Sequence, residues 1–385
     1  MKSNERVIMK KILYVANVDW YFCLHWLDRA VYFIELGNEV HLTCKVTDSK
    51  YVDLIRDNGI ILHESNLSRS GANPFLLYRE FSELSRLTNI LKPTLINSLT
   101  VKPNVMAGLK SITSQVPIVC SVTGLGSSFS SNKMKSVVSK LFIALSYRVI
   151  GFFNKKSIFV FENMDDMVTI KNLCSIKENQ LIKVAGAGVD PEEFDYHEIN
   201  LSSIEDGVKV LFASRLLKSK GLSYLCKAMK GLEDVNVSLD IAGIYDFESD
   251  DSISAEELDL MIGCPNINFL GQVDNISKIL ANYQLVCLPT YYGEGIPRIL
   301  IEAAASGRPI ITTSKGGCAE ICINNFNGTV VAPRSSKSIQ EAITKYVSNP
   351  RLIVLHGRNG RVHFEKSFSN ESVFKAFLGI YEGII

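Results

Sequence analysis

Residues 293–302 read Gly-Glu-Gly-Ile-Pro-Arg-Ile-Leu-Ile-Glu, so two carboxylates, Glu294 and Glu302, bracket a strongly apolar run. Pro297 stands where a first helical turn tolerates proline, Gly307 stands where a helix stops, and Ile310 to Thr313 is a β-branched run. The spacing predicts loop, short helix and buried strand, with Glu294 just ahead of the helix and Glu302 about a turn and a half beyond it. A carboxylate accepts two hydroxyl protons at once, which suits a sugar diol, and glycines beside Glu294 let a backbone approach a ligand closely. Two cations, Arg215 and Lys220, follow an earlier apolar run that ends at Ser214. An arginine fork with a compact ammonium suits a diphosphate. A glycine pair, Gly316-Gly317, follows the strand that ends at Thr313. The competing reading is that Glu294 only favours the positive helix end, that Glu302 is solvated, and that Arg215 and Lys220 mark a solvated helix start.

The elements that would position these residues follow from length and periodicity. A chain of 385 residues fits two domains of about 190 residues each. With 46% hydrophobic and 21% charged residues it is not a disordered chain. The formal net charge of +1 is polarised: 23 Lys and Arg stand against 16 Asp and Glu up to residue 190, and 18 against 24 after it. No nucleic-acid partner is expected. The nine cysteines are scattered singly with no Cys-x-x-Cys pair and no histidine cluster, so buried thiols in a reducing cytoplasm are expected, and no metal site. The first apolar run is broken by Asn17 and Asp19 and reads as a first strand, not a secretion signal.

Short β-branched or aromatic runs recur at Ile12 to Val15, Val40 to Thr43, Ile60 to His63, Leu95 to Ser98, Ile118 to Val122, Ile158 to Phe161 and Leu181 to Val184. Amphipathic stretches such as Leu27 to Leu36 and Phe75 to Leu91 lie between them. Alternation of strand and helix predicts a parallel, doubly wound sheet. The pattern pauses near 191–207 and restarts at Val208. The expected organisation is an α/β chain of two doubly wound, Rossmann-like domains, 1–190 and 208–365, with a linker over 191–207 and a last helix over 366–385. Ligands in such sheets sit beyond the carboxyl ends of the strands. That is where Arg215 to Gly221, Tyr291 to Gly295 and Ser314 to Gly317 fall.

Arg215 with Lys220-Gly221, Glu294 with Glu302, and Gly307-Arg-Pro-Ile together resemble the C-terminal domain of family-4 retaining glycosyltransferases of the GT-B fold. Trp20 to His25, Thr123-Gly-Leu-Gly126, Phe161-Glu-Asn163 and Gly186 to Phe194 resemble a bacterial branch that builds O-antigen, capsule and N-glycan precursors on polyprenyl diphosphate. The resemblance implies two domains facing across a cleft, with the last helix returning to the N-terminal, acceptor-binding domain. It implies that Arg215 and Lys220 bind the donor diphosphate, that Glu294 meets the transferred sugar and that Glu302 holds the ribose. Gly295, Ile296 and Pro297 would help hold phosphates and sugar, and Thr123, Gly124 and Asn163 would complete the donor side. Many relatives carry His-Gly where this chain has Thr123-Gly124, and threonine hydrogen-bonds but does not titrate near neutrality. His25 is a candidate on the acceptor side, against the simpler reading of a histidine packed beside tryptophan.

The implied activity is transfer of a hexose unit, taken as an N-acetylhexosamine, from a UDP-sugar to a lipid-linked saccharide, with retention. No Asp-x-Asp occurs, so no metal or other cofactor is expected and the cations would stabilise the leaving group. Three rivals stand beside this. A dinucleotide oxidoreductase is disfavoured because Phe129 and Pro191 stand where Gly124-Leu-Gly126 and Gly186-Ala-Gly188 would need a third glycine. A nucleotide-sugar 2-epimerase and a non-catalytic sugar-nucleotide scaffold share the pattern. Residues 132–156 carry Lys133, Lys135, Lys140, Arg148, Lys155 and Lys156 and no acid, with Lys140 and Arg148 interrupting the apolar run well short of the ~20 residues that span a bilayer. This predicts a helix lying on an anionic membrane surface, and a peripheral protein at the cytoplasmic face; the competing reading is that Leu141, Ile143, Leu145 and Val149 pack this helix against the sheet.

Overall fold

The structure, a computed structural model, describes residues 10–67, 73–125, 134–204, 206–246 and 249–385; the side chains of residues 134–136, 202 and 203 are also left out. Gly126, Phe129 and Lys133, and the side chain of Lys135, therefore lie outside the described residues. The chain divides into two compact units. One runs to Ala187 and takes back Val373–Ile385; the other is Gly188–Ser372.

Among the described residues the first unit holds seven strands: β1 Lys11–Val18, β2 Glu39–Lys45, β3 Ile61–Glu64, β4 Leu95–Leu99, β5 Ile118–Val122, β6 Ser157–Phe161 and β7 Leu181–Lys183. They lie in the order β3-β2-β1-β4-β5-β6-β7, every pair parallel. Strands β4, β5 and β6 are buried along their whole length, as expected for a sheet covered on both faces, so their sequences are apolar runs and not alternations. One face is covered by helices such as Val101–Ser114 and Met134–Phe153, whose Val105, Ile143, Tyr147 and Ile150 join the sheet core. On the other face lie Leu27–Glu35 and the last helix, Asn370–Ile384, so this helix does return to the N-terminal unit. Phe33 stacks on Tyr381 at 4.6 Å and Trp26 meets Phe377 edge-on at 5.6 Å. The buried Arg29 guanidinium lies 4.0 Å from each of the Trp26 and Phe377 rings and donates from Nη2 to the Ala187 carbonyl. Cation and ring attraction offsets part of its burial.

The second unit holds β8 Val208–Arg215, β9 Val237–Ile244, β10 Ile267–Gly271, β11 Leu285–Leu288, β12 Ile310–Thr312 and β13 Gly328–Val330, ordered β10-β9-β8-β11-β12-β13 and again parallel throughout. The sequence places a linker at 191–207. In the structure those residues belong to the second unit: Phe194, Ile199 and Ile204 are buried, and Arg308 and Arg361 donate to the carbonyls of His197 and Phe194. Apart from the 3-10 turn Leu201–Ile204, the segment has no period because long-range side-chain bonds shape it.

Candidate active site

The order of the second sheet reverses between β8 and β11, so their carboxyl ends border the crevice where doubly wound sheets bind ligands. Arg215 is the last residue of β8, and a single 3-10 turn, Lys218–Lys220, follows. Gly221 then takes a left-handed φ of 81°, and a Cβ there would strike the Pro289 carbonyl beyond β11. The Ser219 carbonyl accepts from Tyr291 N at 3.0 Å and from Thr290 Oγ1 at 3.1 Å. The two strand-end loops are thus bonded together.

This brings Lys220 Nζ to 2.5 Å from Glu294 Oε2. Lys220 is only 8% exposed, which rules out a freely solvated side chain. Arg215, less buried, pairs with Asp246. Downstream, Pro297 is the cap residue and the helix runs Arg298–Ala305, one residue from the expected start. Glu302 is 7% exposed, so it too is not a solvated acid; it receives Arg298 Nε at 2.8 Å, four residues earlier. Burial pushes the Glu302 carboxyl up, and Arg298 beside it pulls the other way. Gly317 N donates to the Glu294 carbonyl at 2.9 Å, and Cβ atoms on Gly316 or Gly317 would collide with the backbone of residues 294–296. The glycine pair therefore lets the third loop lock the second. Gly295, Ile296 and Pro297 are buried in that contact.

Arg215, Lys220, Glu294, Glu302, Gly295, Ile296 and Pro297 thus gather on one edge of one unit. Sequence reasoning gave no role to Asp246, and none to Arg298 beyond its place in the run. The i,i+4 spacing of Arg298 and Glu302 was a readable signal; the pairing of Arg215 with Asp246 across 31 residues was not.

The other expected residues sit in the first unit. Its strand order reverses between β1 and β4. Thr123 follows β5 and accepts from the Tyr21 hydroxyl at 2.8 Å, while Gly124 takes φ 128°. Burial and the charge of Glu162 hold the Tyr21 phenol above its usual range, so it remains a donor. His25 ends the helix Asp19–His25, its ring 4.8 Å from that of Tyr21. Asn163 is 1% exposed and caps the helix Met164–Cys174, accepting from Asp166 N at 2.8 Å and donating to Asp166 Oδ2 at 3.0 Å. Its amide has a structural task there. Burial pushes the Asp166 carboxyl up to about 6. Among the described residues there is no group of three or more His, Cys, Asp or Glu placed to hold a metal ion, and the cysteines are free thiols.

Comparison with known proteins agrees with this architecture. Residues 11–160 match the family model described as "Glycosyl transferase 4-like", and residues 195–363 match "Glycosyl transferases group 1". The chain is 23% identical over 350 residues to the N,N'-diacetylbacillosaminyl-diphospho-undecaprenol alpha-1,3-N-acetylgalactosaminyltransferase of Campylobacter jejuni, covering 88% of this chain and 90% of that protein. It is 24% identical over 318 residues to the capsular polysaccharide biosynthesis glycosyltransferase CapM of Staphylococcus aureus, 78% and 81% of the two chains. The crystal structure of the Anabaena protein HepE in complex with UDP superposes with a TM-score of 0.78 at 16% identity, over 97% of this chain and 100% of that one. The chain belongs to the glycosyltransferases of the GT-B fold, with a 4-like first domain and a group 1 second domain.

Proposed function

We propose that this chain is a retaining hexosyltransferase that moves an N-acetylhexosamine from a UDP-sugar to a saccharide carried on polyprenyl diphosphate, in surface polysaccharide synthesis. The observation that carries the reading is the pairing of buried Lys220 with half-buried Glu294 at the strand-order reversal of the second unit, where Arg215 and Glu302 also stand. In the proposed step the acceptor oxygen bonds to the anomeric carbon on the face the nucleotide leaves. The anomeric C–O bond breaks with its electrons going to the diphosphate, and the acceptor proton passes to the departing phosphate. Arg215, Lys220 and the amides at the helix start stabilise the negative charge that grows on that phosphate, and no divalent ion takes part. Glu294 lies against the sugar as it becomes cationic, and Glu302 holds the ribose.

The proposal extends to the membrane surface. The helix Met134–Phe153 buries Ile143, Tyr147 and Ile150 and exposes Leu141, Phe142, Leu145, Phe152 and Phe153. Leu141 and Leu145, for which core packing was the alternative, are 65% and 62% exposed, while Ile143 is in the core. Lys140, Arg148, Lys155 and Lys156 accompany that apolar strip, and no described helix is long and apolar enough to cross a membrane. These features fit a lipid surface with anionic headgroups.

A panel of nucleotide sugars, assayed for free nucleotide with and without a short-chain polyprenyl-diphosphate N-acetylhexosamine, tests the activity. UDP released only with acceptor, with the donor's anomeric configuration kept in the product, is the expected result. A donor epimerised without acceptor, or no turnover with any pair, overturns it. Flotation with vesicles tests the surface: binding to anionic but not neutral vesicles, lost in a Leu141→Glu, Phe142→Ser double variant, is expected.

A further inference from the structure

In the first unit the two strands at the order reversal end on a pair of polar side chains that no part of the donor site uses. Asn17 lies in β1, and Thr100 follows β4 directly. Asn17 Nδ2 donates to Thr100 Oγ1 at 2.8 Å. Thr100 has φ 72° and ψ 169°, a region that only glycine visits freely and that strains a threonine. It also stands at the cap position of Val101–Ser114, yet its side chain makes no cap bond; the hydroxyl is turned to Asn17 instead. The backbone is held there by Thr100 N donating to the Ser121 carbonyl and Asn104 N donating to the Thr100 carbonyl, each at 3.0 Å. Asn17 Oδ1 is buried with no hydrogen-bond partner, although the residue as a whole is partly exposed, as is Thr100. Helix capping thus does not explain Thr100, and packing does not explain Asn17.

We propose that Asn17 and Thr100 form a binding site for hydroxyl or acetamido groups of the acceptor saccharide, a reading that rests on the transferase activity proposed above. With one Thr100 lone pair taken by Asn17, the threonine proton is turned outward to donate, while Asn17 Oδ1 accepts. A small turn about the broad terminal torsion of asparagine opens Oδ1 to a ligand while Nδ2 stays on Thr100. Asn17 and Thr100 together offer one acceptor and one donor, both neutral, which matches a sugar hydroxyl or acetamido group and not a phosphate. The strain at Thr100 is held by the sheet so that its hydroxyl is aimed before the ligand arrives.

The experiment measures binding of UDP by calorimetry and binding of N,N'-diacetylbacillosamine, N-acetylglucosamine and N-acetylgalactosamine, each on a short water-soluble polyprenyl diphosphate, by ligand-observed NMR. Asn17→Ala, Thr100→Ala and Thr100→Gly are each expected to weaken the preferred saccharide roughly tenfold with UDP affinity unchanged. Thr100→Ser, which keeps the hydroxyl, retains binding. Thermal melting separates geometry from folding: Thr100→Gly should melt above Thr100→Ala, reversing the usual order, because glycine relieves the strain. Wild-type saccharide binding that survives loss of Asn17 or Thr100, or Thr100→Gly melting below Thr100→Ala, overturns the assignment. A wild-type chain that binds UDP but none of the three saccharides overturns it while leaving the donor site standing. Saccharide binding that follows the expected pattern without UDP binding sustains the site and removes the donor reading.

Discussion

The two units share one architecture and differ in what stands at their strand-order reversals. The second unit places charge there in opposed pairs: Arg215 with Asp246, Lys220 with Glu294, and Arg298 with Glu302. The first unit pairs neutral groups there, Asn17 on Thr100 and Tyr21 on Thr123, and the acid that follows β1, Asp19, accepts from the Thr47 hydroxyl and from the Thr47 and Trp20 amides. The same strand topology therefore carries different groups at its crevice. Paired ions keep cations in place until a more highly charged ligand competes for them, whereas neutral donors and acceptors recognise hydroxyls without drawing in counter-charge. An acid that joins the neutral edge is treated differently as well. Asp166 is bonded to Asn163, without a cation among its hydrogen-bond partners in the described residues, and burial pushes it up to about 6.

The strongest way to break this contrast is to remove a cation from the charged edge. Lys220→Ala should lose roughly 2–4 kcal/mol of transition-state stabilisation, about 30- to 1,000-fold in kcat/KM, and would take the Lys220 charge away from half-buried Glu294. Arg215→Ala, which removes a more exposed group, should fall at the lower end. Rates within threefold of the wild type in both would show that the charges serve only folding, and a Lys220→Arg variant with restored turnover would show that charge is what counts.

Next in size, Glu294→Gln should lower kcat on the order of 100-fold, because an amide keeps the shape but not the attraction for a cationic sugar. Glu302→Gln, measured in parallel, should act mainly through nucleotide affinity. Initial rates across donor concentrations separate the two; equal effects on kcat and on donor KM in both variants would erase the division of labour between the acids.

The smallest effect is expected at Asp166. Its folded pKa stands above the ordinary carboxylate value, so the neutral form is favoured by folding. Stability is then greatest below about pH 4, declines as pH rises through about 6, and is level above it. Asp166→Asn removes that decline and should stabilise the chain by about 1–2 kcal/mol at pH 7.5 and by nothing at pH 4. Chemical denaturation at the two values checks it, and an equal change at both would mean that the carboxylate does not titrate in this range.

The sequence by itself determined where the strands lie and what stands after them. Fully buried parallel strands are apolar runs, glycine and proline punctuate them, and the charged edge of the second unit follows its strands within a few residues. Arg215, Lys220, Glu294 and Glu302 could therefore be singled out without any coordinates, as could the presence of a last helix. Tertiary structure decided what these residues do to one another. That Lys220 meets Glu294 across 74 residues depends on Gly221, Gly316 and Gly317 letting three loops close on each other, and that Arg215 has a partner at all depends on a loop without periodicity. It moved 191–207 from linker to part of the second unit through bonds from Arg308 and Arg361, and gave Asn163 a capping task that a motif cannot reveal. Strain at Thr100 was equally invisible in sequence: threonine carries no sign of a left-handed φ, which is imposed by the strand and helix that it joins. Local pattern specifies elements because periodicity is a property of neighbours in the chain; pairing, burial and strain belong to neighbours in space.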